Sequence, residues 1–254
     1  MNKLSLVTIK GIKNKVKRGK LSLKKMGITD MLDIQGLDNL IDLRKLNLKN
    51  NNIRAIEGLD KLHNLIELNL NGNQIREIKG LEKLINLERL NLNKNQITEI
   101  TGLESLKNLK YLSLRLNQIT KISDLDTLEN LEGLDLSSNH ISKIEGLENL
   151  TNLISLYLAG NHFTVIEGLQ HLQNLRHITI GFKRIIGGVE FNGKKIPTDV
   201  RKKMGVKVDP ERGMRINAKQ MVAYCQFPNL TEILDIPPSG ASNSQKDWKK
   251  RIKK

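Results

Sequence analysis

Apolar residues along the middle of the chain follow a pattern that repeats with a constant period, L-x-x-L-x-L-x-x-N-x-I-x-x-I-x-G-L-x-x-L-x-N. Its first half alternates apolar and polar positions, as a β-strand does. Its second half places an apolar residue at every third position, as in a tight helical or 3₁₀ turn. Such a repeat predicts a solenoid in which each unit adds one strand to a sheet and one turn to the opposite side. Six units follow the pattern closely, and they start at Leu43, Leu65, Leu87, Leu109, Leu131 and Leu153.

Two polar positions of the repeat fit a solenoid. An asparagine follows each strand, and because its amide both donates and accepts hydrogen bonds, a structural ladder of asparagines is expected to join successive coils. A glycine marks the bend on the opposite side, where a positive φ is expected. Asp124 replaces it in the fourth unit, and Asp is one of the few residues that tolerate this conformation. The ladder comprises Asn51, Asn73, Asn95, Asn117, Asn139 and Asn161, and the glycines are Gly58, Gly80, Gly102, Gly146 and Gly168.

The pattern resembles that of the leucine-rich repeat family. The spacing from Leu43 to Leu65, twenty-two positions, and the I-x-G-L segment are similar to the class that includes the leucine-rich regulatory subunit of type 1 protein phosphatase. The resemblance implies an α/β solenoid with a parallel β-sheet on the concave face, short helical or 3₁₀ turns on the convex face, and capped ends. Members of this class bind phosphatases, tubulin-folding partners, dynein subunits, splicing proteins and host receptors. The family therefore implies a protein-binding platform and leaves the partner open.

Composition restricts the class of protein further. Aromatic residues make up only 3% of the 254 residues, as expected for a core of stacked leucine and isoleucine. The single cysteine, Cys225, excludes an internal disulfide bond. The first ten residues lack the apolar run of an export signal, and no apolar stretch is long enough to span a membrane. We therefore expect the protein in the cytoplasm or the nucleus.

The net charge of +15 is concentrated at the two ends of the chain. Residues 1–42 carry nine basic and four acidic groups, and residues 43–174 carry fifteen and sixteen. Residues 175–254 carry eighteen basic and seven acidic groups. Neutral repeats between basic ends make nucleic acid or an anionic membrane a candidate partner of the ends.

The N-terminal residues 1–20 are expected to cap the first coil. They contain basic residues but no acidic one, and their mixed pattern of apolar positions favours a helix. A basic arm that binds nucleic acid is the alternative. The solenoid is predicted over residues 21–182. It begins with a degenerate unit, in which Leu21 corresponds to Leu46 and Asp30 caps an extra turn, and it ends with the start of a seventh unit.

Residues 183–216 are predicted to form a basic insertion. Asn192-Gly193 is typical of a type I′ turn, so a β-hairpin is expected around it, and short helices are expected over residues 198–204 and 217–226.

Residues 217–236 are predicted as a C-terminal cap, because Phe227, Asn229 and Ile233 repeat the join between coils. Residues 237–254 are predicted as a flexible basic tail. The candidate basic patch comprises Lys194, Lys195, Arg201, Lys202, Lys203, Lys249, Lys250 and Arg251.

The outward positions of the strands are the candidate binding surface, because repeat solenoids bind on their concave side. In the first three units these positions are asparagines and charged residues, as a merely solvated sheet would also show. In the later units they combine aromatic, charged and small residues, which is typical of protein interfaces. The predicted partner-binding residues are Tyr111, Arg115, Asp135, Tyr157, His177 and Phe182.

None of the apparent catalytic motifs is complete. The segment from Gly188 to Lys194 matches most of a phosphate-binding loop, but Lys195 replaces the hydroxyl residue and Pro197 interrupts the required helix. The five histidines fall at scattered repeat positions without a metal-ligand spacing. Cys225 lies in an apolar stretch, which favours a buried thiol. We predict no catalytic residues, no metal site and no cofactor.

The sequence therefore predicts a noncatalytic adaptor or regulatory protein that binds a protein partner on the concave face of its fourth to seventh coils. No small-molecule substrate is expected. One alternative is nucleic-acid or ribonucleoprotein binding through the basic ends. The other is peripheral attachment to a membrane through the basic tail.

Overall fold

The computed structural model describes residues 6–162, 168–169 and 171–179, together with the backbone of short strands further along the chain. Its strands are β1 (Leu6–Ile9), β2 (Ile12–Lys15), β3 (Lys20–Ser22), β4 (Lys45–Asn47), β5 (Glu67–Asn69), β6 (Arg89–Asn91), β7 (Tyr111–Ser113), β8 (Gly133–Asp135), β9 (Ser155–Tyr157), β10 (His177–Thr179), β11 (Lys183–Ile185), β12 (Gly188–Phe191), β13 (Lys194–Lys195), β14 (Lys207–Asp209), β15 (Gly213–Ile216) and β16 (Glu232–Leu234).

Strands β3 to β10 lie side by side in one parallel sheet, with one strand from each coil. Within the strict repeats the pairing follows the period of the sequence, so that Leu46 lies opposite Leu68 and Leu68 opposite Leu90. The degenerate unit joins this sheet through Leu21, which lies opposite Leu46 as predicted. The solenoid with a parallel sheet that the repeat predicts is confirmed.

The core is a stack of leucine and isoleucine layers. In β4 the central Leu46 is buried, while Lys45 and Asn47 on either side face outward and are half-buried. Each coil covers the apolar side chains of the coil before it, which a single unit could not do alone. The other half of the same coil contributes four further buried residues, Ile53, Ile56, Leu59 and Leu62.

The asparagine ladder connects each coil to the preceding one. The Nδ2 group of Asn73 donates to the carbonyl of Leu70 in its own coil at 2.8 Å and to that of Leu48 in the preceding coil at 3.1 Å. Its Oδ1 atom accepts from the backbone N–H of Ile53 at 3.1 Å. Equivalent bonds recur at the other ladder positions, including Asn95, which is buried.

A second asparagine ladder, whose role the sequence did not reveal, lies on the surface where one coil leads into the next. In each case the Nδ2 group donates to a backbone carbonyl of the preceding coil, as Asn86 does to His63 at 2.9 Å. Its members are Asn64, Asn86, Asn108, Asn130, Asn152 and Asn174.

The convex side consists of single turns. The N–H of Leu62 donates to the carbonyl of Leu59, and that of Leu65 to Leu62, both at 2.9 Å. Within residues 6–162, 3₁₀ helices occur only at Met31–Asp33 and Leu37–Asn39, both in the degenerate unit. Within residues 43–162 the strict repeats therefore close their convex side with isolated turns and form no run of helix there.

The bend of each coil requires a residue that can adopt a positive φ. At Gly80 φ is 73°, and a Cβ atom there would lie 2.1 Å from the carbonyl oxygen of Ile56 in the preceding coil. Asp124 has a φ of 56°, as its position in the repeat predicts. In the degenerate unit, the extra turn begins at Asp30, whose carboxylate accepts from the N–H of Leu32 at 2.8 Å, also as predicted.

The N-terminal segment forms a β-hairpin, so the predicted tendency to form a helix was wrong. Strands β1 and β2 pair antiparallel with Ile9 opposite Ile12. The two turn residues, Lys10 and Gly11, have φ values of 48° and 77°, as a type I′ turn requires. Val7 and Ile9 are buried in the same core as the coil leucines. The alternation of buried and exposed residues around the Lys-Gly turn is typical of a hairpin. The wider spacing of apolar residues, which had favoured a helix, did not determine the structure.

Beyond residue 179 the described strands extend the sheet. Strand β16 pairs in parallel with β10, with Ile233 opposite Ile178, which is the alignment expected if the repeat resumes near residue 227. Strands β15 and β14 follow by antiparallel pairing. The boundaries predicted at residues 182, 216 and 236 stay predictions.

Strands β11, β12 and β13 form a separate antiparallel sheet. Phe191 lies opposite Lys194, which is the pairing that the predicted hairpin requires. The helices predicted over residues 198–204 and 217–226 lie outside the described residues. No helix of the described chain is long and apolar enough to cross a membrane.

Candidate protein-binding face

The register of the sheet arranges the outward residues of β7 to β10 in rows that run across the coils. The first row is Tyr111, Gly133, Ser155 and His177, and the second is Ser113, Asp135, Tyr157 and Thr179. Two residues after the second row, Arg115, Ser137 and Ala159 continue the same face. We call the outward residues of these coils the concave site. Neighbouring strands lie about 4.8 Å apart, so these four coils span roughly 14 Å.

Tyr111 lies against the sheet and does not project from it. The guanidinium group of Arg89 lies 4.9 Å from the centre of its ring. On the other side the ring packs on Gly133, where a Cβ atom would lie 2.9 Å from the ring carbon Cδ1. Only 9% of Tyr111 is exposed. The ring lies flat because Gly133 in the next coil leaves room for it, and the role of Tyr111 in partner binding stays a prediction.

The hydroxyl group of Tyr111 is also held in place. It donates a hydrogen bond to the carboxylate of Glu132. Burial, together with this hydrogen bond and the negative charge of Glu132, raises the pKa of Tyr111 to about 12. Tyr111 is therefore a neutral, fixed wall of the concave site.

Asp135 takes the position that asparagine occupies in the first three strict coils. Its Oδ1 atom accepts from the backbone N–H of Ser137 at 3.0 Å. Burial raises the pKa of Asp135, and hydrogen bonds from Ser137 and Ser113 and the charge of Arg115 oppose that rise. The corresponding asparagines make the same bond to the N–H two residues later at 3.1 Å, in Asn47, Asn69 and Asn91.

The backbone beside Asp135 is fixed by Asn93 of the third coil. The Oδ1 atom of Asn93 accepts from the hydroxyl of Ser113 and from the backbone N–H of Arg115, both at 2.7 Å. The side chain of Arg115 is half-buried. A cation and the carboxylate of Asp135 therefore lie on one preorganised surface.

Leu116, at the edge of this surface, is a candidate residue that the sequence analysis missed. It is 37% exposed, and its φ is 58°. A leucine in the left-handed region costs about 1–2 kcal/mol. A comparison of the equivalent position in the six strict coils would have identified Leu116 from the sequence, because it is the only large apolar residue among them. The other strict coils have Asn50, Gly72, Lys94, Ser138 and Gly160 at this position.

Tyr157 and His177 form the far side of the concave site. Both are half-buried, and Tyr157 lies opposite Asp135 in the register of β8 and β9. Between them and Tyr111 the floor is made of small residues, Gly133 and Ser155. The structure thus brings together four of the predicted binding residues, Arg115, Asp135, Tyr157 and His177, around a shallow floor.

The remaining predicted site residues are Phe182 and the candidate basic patch. Phe182 and the side chains of the candidate basic patch lie outside the described residues, namely Lys194, Lys195, Arg201, Lys202, Lys203, Lys249, Lys250 and Arg251.

The histidines are less scattered than the sequence analysis stated. His140 and His162 are one repeat period apart and occupy the same position in adjacent coils. Their ring centres lie 5.4 Å apart. In the part of the chain that the structure describes, no group of three or more histidine, cysteine, aspartate or glutamate residues is placed to hold a metal ion.

Comparisons with known proteins agree with this architecture. The family model described as "Leucine Rich repeats (2 copies)" matches in five overlapping windows, at residues 41–83, 63–105, 85–127, 107–149 and 129–163. No curated protein sequence matches the chain.

Solved structures that are similar to this chain include the following three. The internalin inlF of Listeria monocytogenes matches at 30% identity with a TM-score of 0.60, over 64% of this chain and 47% of its own. The internalin C2 (inlC2) of the same organism matches at 35% identity with a TM-score of 0.59, over 64% of this chain and 73% of its own. A leucine-rich repeat protein of Leptospira interrogans matches at 30% identity with a TM-score of 0.55, over 60% of this chain and 40% of its own. This chain therefore spans about half the length of inlF.

Proposed function

Because this chain belongs to the leucine-rich repeat family, we propose that it is a noncatalytic adaptor that binds a protein partner on the concave site. Proteins of this architecture commonly mediate protein–protein interaction, since an open sheet of stacked coils offers one continuous surface. The identity of the partner is left to experiment. The resemblance to the phosphatase regulatory subunit stays a prediction.

The observation that carries the proposal is the carboxylate of Asp135. The fold needs only an oxygen acceptor at this position, because Asn47, Asn69 and Asn91 make the same backbone bond without a charge. Partial burial of a carboxylate is costly, and this burial raises the pKa of Asp135. A charge that the fold does not need, facing outward on a binding surface, supports a role in recognition.

Leu116 supports the same conclusion independently. Strained backbone at an exposed apolar residue is typical of functional sites, where the cost is balanced by a contact made only in the complex. Leu116 follows Arg115 directly, so an apolar anchor lies next to a cation. Aliphatic, aromatic and charged groups around a floor of small residues are suited to a protruding loop of a protein.

The proposal is tested by comparing the wild-type chain with the triple variant Leu116→Asn/Asp135→Asn/Tyr157→Ala. Proteins captured from a source lysate by immobilised wild type are identified by mass spectrometry, and their binding to purified wild type and variant is then measured directly. We expect the triple variant to lose at least tenfold in affinity, because each change removes a central contact worth about 1 kcal/mol or more.

The matched control is Asn47→Asp/Glu67→Ala/Lys94→Asn, which alters the same face in the first three strict coils. It should bind the partner as the wild type does, and circular dichroism should show that both variants are folded. Equal affinity of all three proteins for the captured partner, or a loss confined to the control, would contradict the proposal.

A further inference from the structure

The N-terminal hairpin and the strand after it carry a dense cluster of exposed cations. Eight basic residues occur between residues 10 and 25, and the sequence contains no acidic residue before Asp30. All eight are exposed to solvent. We call them the cationic hairpin surface, and they are Lys10, Lys13, Lys15, Lys17, Arg18, Lys20, Lys24 and Lys25.

Within the described residues these cations have no anionic partner, whereas several cations of the repeats have one. In the coils, Lys45 pairs with Glu67 and Lys110 pairs with Glu88. Within residues 6–162, none of the eight groups forms an ion pair, and Lys10 makes a single hydrogen bond of 3.3 Å to the carbonyl of Gly27. The positive charge of this surface is therefore uncompensated by the described protein.

The hairpin arranges its lysines in a row on its outer side. Lys13 lies opposite Thr8 in the antiparallel pair, whereas Val7 is buried on the other face. Residues two apart on a strand share a face and lie about 6.6–6.8 Å apart, so Lys15 continues the row. Lys17 follows, and its backbone N–H and carbonyl exchange hydrogen bonds of 2.9 and 3.0 Å with Lys20.

The chemistry of this surface selects among anionic partners. No aromatic residue precedes Tyr111 in the sequence, so the hairpin has no ring on which unpaired bases could stack. Stable attachment to a membrane needs apolar insertion in addition to charge. On the hairpin only Ile12 is more than half exposed among apolar residues, at 59%. A nucleic-acid duplex presents about one negative charge per 1.7 Å and requires only cations.

We propose that the cationic hairpin surface binds the phosphate backbone of double-stranded nucleic acid without reading its sequence. The eight unpaired cations supply the affinity, and the hairpin, anchored by buried Val7 and Ile9, holds Lys13, Lys15 and Lys17 in a row. This surface is distinct from the concave site, so the adaptor function and the duplex binding can fail separately.

The experiment measures binding of the full chain to a fluorescent DNA duplex of about 20 base pairs between 50 and 200 mM salt. The variant Lys13→Gln/Lys15→Gln/Lys17→Gln removes the outer row. We expect its plot of log affinity against log salt to be shallower by about 2.7, at 0.9 per lost phosphate contact. The wild type should therefore lose roughly 40-fold more affinity than the variant across this range. A second duplex of scrambled sequence should give the same values.

The matched control, Lys83→Gln/Lys94→Gln/Lys107→Gln, removes the same charge from exposed positions of the repeats and leaves the basic C-terminal part of the chain unchanged in sequence. It should keep the wild-type slope. The proposal is overturned by a wild type that does not bind the duplex at 50 mM salt, or by equal slopes for the two variants. It is also overturned if the hairpin variant binds the duplex normally but loses binding to vesicles rich in phosphatidylserine.

Discussion

At the scale of single residues, the concave site departs from the repeat at the places where following the repeat would be more stable. The first three strict coils have an uncharged asparagine where Asp135 lies, and the other strict coils have glycine or a polar residue where Leu116 lies. The spacing of apolar residues does not reveal either departure, because neither of them changes an apolar core position. They are found only by comparing each column of the repeat residue by residue.

The substitution Asp135→Asn should stabilise the protein at neutral pH. Asparagine keeps the acceptor for the N–H of Ser137 and removes a half-buried charge, so we expect a gain of about 0.5–1 kcal/mol in the free energy of unfolding. Folding raises the pKa of Asp135 above its ordinary value of 3.8. Protonation of this group therefore stabilises the folded wild type relative to the unfolded chain, and that stabilisation is lost as the pH rises through the raised pKa.

The stabilisation by Asp135→Asn should therefore be present at pH 7 and smaller near pH 3, where the wild-type carboxyl group is neutral. Urea unfolding of the two proteins at both pH values measures the difference, and other titrating groups cancel because they are common to both. A larger gain at pH 3 than at pH 7 would show that burial of the charge is not the cause.

At the scale of the coil, the two asparagine ladders consist of the same residue type but contribute differently to the free energy of unfolding. Asn95 is buried and bonds to Leu70, Leu92 and Ile75, whereas Asn86 is exposed and makes one bond to His63. We expect Asn95→Leu to cost roughly 3–5 kcal/mol in the free energy of unfolding, because it leaves three buried backbone groups without partners at about 1–3 kcal/mol each. Asn86→Leu should cost less than about 1 kcal/mol, since water can replace its bond.

Equilibrium unfolding in urea compares the two variants directly. Equal losses would mean that the buried ladder does not satisfy the backbone in the way its hydrogen bonds indicate.

The sequence predicted the elements of the coil well because each one repeats. The strand register, the asparagine ladder and the positive φ of Asp124 follow from a constant period that occurs six times. The features that escaped prediction occur once or depend on a neighbouring coil. The ring of Tyr111 lies flat because Gly133 is the next residue in its row, and the N-terminal hairpin depends on one Lys-Gly turn.

At the scale of the whole molecule, stability is a sum over coils and the interfaces between them, because each coil pairs only with its neighbours in the described solenoid. Deletion of residues 65–86 removes one complete period and joins Asn64 to Leu87. Asn95 would then meet the carbonyl of Leu48, as Asn73 does in the intact chain. We expect this shortened protein to stay folded, with a cooperative urea transition whose m-value is lower by roughly a tenth.

The matched control for this deletion is removal of residues 65–75, which is half as long and half a period. It should unfold the chain or broaden the transition severely, because strand positions would then lie beside convex positions of the adjacent coil and leucines would face solvent. Circular dichroism and urea titration distinguish the two outcomes. The half-period deletion can be harmless only if the interfaces between coils contribute little to stability. If it is tolerated as well as the full-period deletion, stacking of the coils in register does not stabilise this molecule.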